Sequence, residues 1–403
     1  MKQLLIAGGS HSDVPMILAA QRLGFRVITT GNRPMDYGHQ YSDLYVPCDY
    51  SCPDALLAVC RSHALQAIVP CCNDFAALSC ANVAQELGLP GHDTPATAAV
   101  IHHKDRWRAF AEARGIPGPR AVGCTTHADA YEALGKLQLP LIVKPVDLTG
   151  GKGISRADTV AEAEAAIRVA FSTSRAGRIV VEEFVEGSRH GFTCILRNQR
   201  VAFSFSDNEH YHLSPYLVSG ASAPSSLTEH TLNALTKIAE TIARELSLTD
   251  GIFHVQLICR ADQTPAIIEI CRRPPGDLYV DLVRHATGVP YAEWIVKAFA
   301  GLPLDDVVQS PVRHLVTRHC LMADHAGTFQ GFRFDAAYAD RIREQINLMA
   351  PGSEINAPES QKLGIAFLHY SSEQEFQQMV PHLQRRLQAQ IEFRDEAGVV
   401  CSE

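Results

Sequence analysis

The sequence predicts a multidomain protein of mixed α/β and α+β class that opens with a parallel-sheet domain, on three observations. Short apolar runs alternate with helical ones from residue 1 to about residue 90, strands beyond residue 187 look antiparallel, and 403 residues are too many for one ordinary core. In the first stretch the pattern predicts strands at Gln3–Ala7, Arg26–Thr30, Leu44–Val46 and Ala67–Pro70, and helices at Asp13–Leu23, Pro53–Ser62 and Asp74–Leu87. Strand and helix in turn mean a parallel sheet covered on both faces. The turn Gly8-Gly9-Ser10 lies at a strand's carboxyl end, where such folds place ligands, but it lacks the G-x-G-x-x-G spacing and is read as a tight turn.

A single helix is predicted over Thr94–Arg114, ended by Gly115-Ile116-Pro117-Gly118-Pro119. A βαβ-like unit follows, with strands at Ala121–Cys124, Leu141–Lys144 and Ile179–Gly187, the last running into an acidic exit, and helices at His127–Leu137 and Thr159–Phe171. Next come strands at Phe192–Arg197 and Val201–Ser206, a helix at Leu227–Leu246, and strands at Ile252–Cys259 and Ala266–Cys271. Helices are predicted at Leu278–Thr287 and Tyr291–Ala300, then short strands, a helix near Ala336–Leu348, the strand Ile365–His369 and a helix at Glu373–Gln390.

A formal net charge of −8 and the lack of a Lys/Arg block argue against a nucleic-acid partner, so any bound nucleotide is expected to be small. The apolar run at the start is too short for a signal-peptide core or a membrane span. With 12 scattered cysteines suited to a reducing compartment, a cytoplasmic location is expected. No Cys-x-x-Cys pair exists, which disfavours zinc.

The stretch richest in chemistry is Leu141–Ile154. An apolar strand ends in Lys144-Pro145, and Gly150, Gly151, Lys152 and Gly153 follow. Glycines let backbone N–H groups approach an anion, and the two lysines bring positive charge, so phosphate is the natural guest. The spacing is not that of a Walker A loop, and a Gly-Gly hairpin turn with solvated lysines remains the alternative.

Four segments then line up in order: Lys104; Lys144 with its glycine loop; Glu182–Gly187; and Glu269-Ile270-Cys271-Arg272-Arg273. This order resembles the ATP-grasp superfamily, and within it the carboxylate–amine ligase branch, similar to L-amino acid ligases and to the carbamoyl-phosphate synthase and biotin carboxylase group. The resemblance implies an ATP-grasp fold in which residues 1–93 form a Rossmann-like pre-ATP-grasp domain and 94–117 a helical linker. Residues 118–187 would be the small lid domain, 188–305 the large domain with the metal site, and 306–403 a C-terminal subdomain. It implies that Lys104 and Lys144 contact nucleotide phosphates and that Gly150, Gly151, Lys152 and Gly153 form a mobile lid. Glu182, Glu183, Phe184 and Val185 would form the hinge that meets adenine, and His190 would partner the ribose.

Period-two alternation puts His254 and Gln256 on one face of their strand and Glu269, Cys271 and Arg273 on one face of theirs. Gln256 and Glu269 are thus expected to share a Mg2+ ion, although the family pattern usually has Glu at the first position and Asn at that of Cys271. Arg273 would hold the transferring phosphate or the intermediate, and Asp277 is read chiefly as a helix N-cap.

The implied activity is an ATP-dependent ligase that phosphorylates a carboxylate and passes the acyl group to an amine, releasing ADP and phosphate. Lys144 and Arg273 would be its catalytic cations. The acceptor is expected to meet the loop Asp207–Pro224, with His212 and Tyr216 as substrate candidates beside Arg273. Partners would be small carboxylates and amines, with no nucleic acid and no membrane; dimers are common in the family, although no stretch here demands one. Two other readings stand beside this one. The first is a carboxylating or formyl-activating enzyme, and the second a nucleotide-binding scaffold whose catalysis is weakened at Gln256 and Cys271.

Overall fold

The structure, a computed structural model, describes residues 2–394 and 400–402. It opens with β1 (Gln3–Ala7), α1 (Val14–Arg22), β2 (Arg26–Gly31), β3 (Leu44–Pro47), α2 (Pro53–His63), β4 (Ala67–Pro70) and α3 (Asp74–Leu87). Every pairing in the sheet β3-β2-β1-β4 is parallel. Leu4 to Ala7 are wholly buried, as a strand covered on both faces requires. The helix expected over Thr94–Arg114 is instead two, α4 (Pro95–His102) and α5 (Lys104–Ala113), because His103 between them is extended. Lys104 therefore opens α5, where its otherwise orphaned N–H reaches Val146 O.

Next come β5 (Ala121–Cys124), α6 (His127–Leu134), β6 (Leu141–Pro145), β7 (Ser155–Ala157), α7 (Val160–Thr173) and β8 (Ile179–Glu183). The pairings in the sheet β5-β8-β6-β7 are antiparallel, which corrects the βαβ-like expectation. Strand β8 lies between β5 and β6, so those two never pair. Thr126 and Thr159 open α6 and α7 with capping boxes to Asp129 and Glu162.

The chain continues through β9 (Ser188–Arg197), β10 (Arg200–His210), β11 (Gly220–Ala223), α8 (Glu229–Glu245), β12 (Gly251–Cys259), β13 (Pro265–Cys271), α9 (Tyr279–Thr287) and α10 (Tyr291–Phe299). Then follow β14 (Leu315–Met322), β15 (Gly327–Phe334), α11 (Ala336–Ala339), β16 (Ile342–Asn347), β17 (Glu354–Ile355), β18 (Lys362–Tyr370), α12 (Glu373–Met379), α13 (Leu383–Arg386) and β19 (Leu387–Arg394). The helix expected near Ala336–Leu348 stops at Ala339, and pairing with β18 takes Ile342–Asn347 as a strand. The helix expected over Glu373–Gln390 breaks around Pro381, which has no N–H to give, and its last residues join β19.

Two compact units result. The first comprises Met1–Ser206, Leu227–Gly276 and Pro290–Gln309, and the second Asp207–Ser226, Asp277–Val289 and Ser310–Glu403. Besides the two sheets above, the first unit holds β13-β12-β9 and β10 as far as Ser206. Phe192, Phe253, Val255 and Leu257 of that sheet share a core with Leu235 and Ile242 of α8. In the second unit, β11-β14-β18-β16 buries Leu321, Ala366 and Leu368 with Phe376 of α12 and Leu383 of α13.

Candidate active site

The buried run Leu141–Val143 carries Lys144 into the interior of the first unit. Its Nζ lies 2.6 Å from Glu182 Oε2 on β8, while Glu182 Oε1 accepts Arg108 Nε at 2.6 Å. Arg108 also donates to Ile267 O and Ile268 O, at 2.8 and 2.7 Å, so one guanidinium fastens β8 to β13. Burial alone would raise the Glu182 carboxyl, but Arg108 and Lys144 outweigh it and hold it at about 2. Burial also lowers the Lys144 ammonium, against the pull of Glu182. An ion this desolvated acts strongly on any charge brought beside it.

Lys104 is 8% exposed, and its Nζ donates to Leu148 O at 2.9 Å and lies 3.6 Å from Glu269 Oε2. It thus touches both the stem of the glycine loop and the carboxylate expected at the metal. Gly150, Gly151 and Gly153 all have positive φ, and a Cβ on Gly153 would stand 2.7 Å from Pro145 Cγ. Only glycine fits there. Lys152, grouped with Lys144 in the sequence, is exposed on this loop.

A cleft of about 760 Å³ is lined by Gly118–Arg120, Glu183–Gly187 and Arg260. Glu183, Phe184 and Val185, expected to form the hinge, border it, and the Arg156 guanidinium covers the Phe184 ring at 4.4 Å. Glu182 is not among the lining residues: its backbone lies opposite Ala121 and Ile142 in the sheet, and its carboxylate is given to Lys144 and Arg108. His190, expected to partner the ribose, is 1% exposed with Nε2 2.7 Å from Ser188 Oγ.

Gln256 and Glu269 are direct cross-strand partners, and His254 faces Cys271 in the same ladder. One carboxylate and one amide oxygen suit Mg2+, which takes one or two protein oxygens and fills its shell with phosphate and water. Among the described residues no group of three His, Cys, Asp or Glu is placed to hold a metal. Burial pushes the Cys271 thiol up to about 11 and the His254 imidazole down to about 3, the latter helped by Arg273. Arg273 Nε bonds Asp74 Oδ1 at 2.6 Å, and that oxygen also meets His102 Nδ1 at 3.0 Å.

Arg108, Asp74 and His102 were not singled out from sequence. For Arg108 a signal existed, since it lies one helical turn after Lys104 on the same face. Asp74 and His102 read as ordinary helix residues.

The second unit holds the acceptor candidates. The expected loop Asp207–Pro224 shrinks to residues 211–219, because Asp207–His210 extend β10 and Gly220–Ala223 form β11. His212 donates its N–H to Ser219 Oγ at 3.1 Å, and its ring meets that of His319 edge-on at 5.3 Å. Tyr216 N–H reaches Ser214 Oγ at 3.3 Å. Asp277 is no N-cap: Leu278 takes that position, and the Asp277 carboxylate lies 2.5 Å from Lys362 Nζ and 3.7 Å from Arg318 NH1.

Residues 103–277 match the family model described as phosphoribosylglycinamide synthetase, ATP-grasp (A) domain. The formate-dependent phosphoribosylglycinamide formyltransferase of Burkholderia pseudomallei (strain 668) is 26% identical over 346 residues, covering 82% of this chain and 83% of that one. Among solved structures, the L-amino acid ligase from Bacillus licheniformis superposes with a TM-score of 0.81 at 21% identity, covering 96% of this chain and 98% of its own. The phosphoribosylglycinamide synthetase from Anaerococcus prevotii gives 0.76 at 20%, with 96% and 99% covered. At such identities the two structures speak for the fold.

Proposed function

We propose that this chain, whose residues 103–277 match an ATP-grasp domain model, is an ATP-grasp enzyme, and specifically a carboxylate–amine ligase working through an acyl phosphate. The observation that carries the reading is that Lys104 lies 3.6 Å from Glu269, while Lys144 feels the charge of Lys104 and Arg273 that of Glu269, within one unit that also holds the glycine loop and the cleft at Glu183–Gly187. The cleft suits a purine base beside Phe184, with the phosphates running toward the lysines. Mg2+, for which Gln256 and Glu269 offer oxygens, would neutralise phosphate charge when bound.

A triphosphate beside a carboxylate concentrates negative charge, so transfer needs fixed cations in a dry site. Lys144 is held by Glu182 and Lys104 by Leu148 O, so neither must reorganise when the phosphates arrive. The substrate carboxylate oxygen attacks the γ-phosphorus and ADP leaves. The amine then attacks the acyl carbon, the C–O bond to phosphate breaks, and the amine's surplus proton is lost. Gly150–Gly153, closing over the site, would protect the acyl phosphate from water. Cys271, with its thiol pushed up, is a poor nucleophile and is given no covalent role.

A second reading is favoured by the sequence relatives named for formate-dependent formyl transfer. It changes only the acid, formate being the smallest carboxylate. Coupled ADP release against a panel of acids, formate included, with hydroxylamine to trap the acyl phosphate, tests both. Acid-dependent ADP and hydroxamate are expected; their absence across the panel refutes both and leaves a nucleotide-binding scaffold.

A further inference from the structure

Two arginines end β13 side by side, and their surroundings assign them different work. Arg272 is committed to the fold: Nε bonds Asp93 Oδ2 at 2.8 Å, NH2 bonds Thr249 O at 2.6 Å, and NH1 bonds Ile252 O. Arg273 gives Nε to Asp74 Oδ1 at 2.6 Å and NH1 to Pro274 O at a longer 3.3 Å. A guanidinium carries five N–H donors in one rigid plane, so fixing Nε on a carboxylate fixes the plane and leaves the outer edge of the fork for a ligand.

Asp74 is the first residue of α3 and only 4% exposed. The oxygen that receives Arg273 also receives His102 Nδ1 at 3.0 Å, so the carboxylate is held from a second side. His102 ends α4, two residues before Lys104, whose ammonium reaches Leu148 O and Glu269. One short segment thus braces both the cation beside the glycine loop and the acid behind Arg273. Burial would raise the Asp74 carboxyl, but Arg273 and then His102 keep it below its ordinary value, so it stays an anion.

We propose that Asp74, held by His102, is a positioning residue that sets the plane of the Arg273 guanidinium against the acyl phosphate without itself touching substrate. The proposal rests on the ligase reading. Removing the Asp74 charge leaves the arginine cation present but free to turn, so the transition state suffers and nucleotide binding does not.

The test uses the full chain. Asp74→Asn should lower kcat for acid-dependent ADP release by roughly 30- to 100-fold, with Mg-ADP affinity within about 2-fold of wild type. Asp74→Glu should recover part of the rate. In an Arg273→Lys background, Asp74→Asn should cost less than about 2-fold, since the fork it orients is already gone. Independently of turnover, 15N-arginine-labelled protein should show an exchange-protected Nε–H signal that is absent in Arg273→Lys and lost in Asp74→Asn. A fully additive double variant, or a signal that persists in Asp74→Asn, overturns the proposal. If Asp74→Asn does not fold, His102→Gln carries the same test with a smaller drop and the same non-additivity. A wild-type protein that releases no ADP with any acid refutes the ligase reading, while the arginine signal still decides whether Asp74 holds Arg273.

Discussion

The ammonium of Lys104 lies 3.6 Å from the carboxylate of Glu269, although one opens a helix early in the chain and the other sits on a late strand. That approach joins the glycine-loop stem to the paired strands β12 and β13. Neither partner is fully committed to the other, since 3.6 Å is longer than a close ion pair and Lys104 also holds Leu148 O. A phosphate or a cation can therefore enter between them without breaking a tight contact.

Lys144→Ala and Glu269→Ala should each lower ADP formation by at least about 100-fold. Both should remain folded: Glu182 keeps Arg108 as a partner when Lys144 is lost, and Lys104 keeps Leu148 O when Glu269 is lost. Rates and thermal melts of the two variants check this, and full turnover in either refutes the site.

Gln256→Glu should change the Mg2+ dependence of turnover, moving half-saturation to lower Mg2+ by about 3-fold or more. A carboxylate there adds charge opposite Glu269, its cross-strand partner. A Mg2+ titration identical to wild type would show that residue 256 does not face the ion.

Arg272→Met should destabilise the fold by roughly 3 kcal/mol or more, because it leaves Asp93 buried without its cation. Denaturant unfolding reads the loss. Arg273→Lys, which keeps a charge beside Asp74, should cost far less stability and far more activity.

Acid should weaken the first unit in two stages. His254 is held neutral, its value pushed from 6.5 to about 3, so the unfolded chain binds the extra proton first and stability falls as pH drops below about 6.5. Glu182 lies at about 2 against an ordinary 4.5, so its contribution is present above about 4.5 and is lost as pH falls toward 2. Denaturant midpoints should hold steady from pH 8 to about 6.5 and decline from there to pH 3, and His254→Asn should flatten the upper part of that decline.

The parallel amino-terminal sheet was legible because β1 and β4 are apolar runs but for Gln3 and alternate with helical stretches, so local pattern and tertiary placement agree. That Gln256 and Glu269 could meet across neighbouring strands was legible from period two, while the register that makes them direct partners was not. Other features depended on distant partners. That the Glu182 carboxylate is shared by Lys144 and Arg108 could not be read from its own stretch, because both partners come from other elements. The strand Ile342–Asn347 reads as helix until β18 is there to pair with it. Asp277 has a cap's position in the sequence and an ion pair with Lys362 in the fold.

The most direct measurement of the central claim follows a carboxylate oxygen. With an acid that stimulates ADP release, labelled with 18O in its carboxylate, each amide formed should place one 18O in the released phosphate, read by mass spectrometry. Unlabelled phosphate, or AMP and pyrophosphate in place of ADP and phosphate, would contradict an acyl phosphate held among Lys104, Lys144 and Arg273.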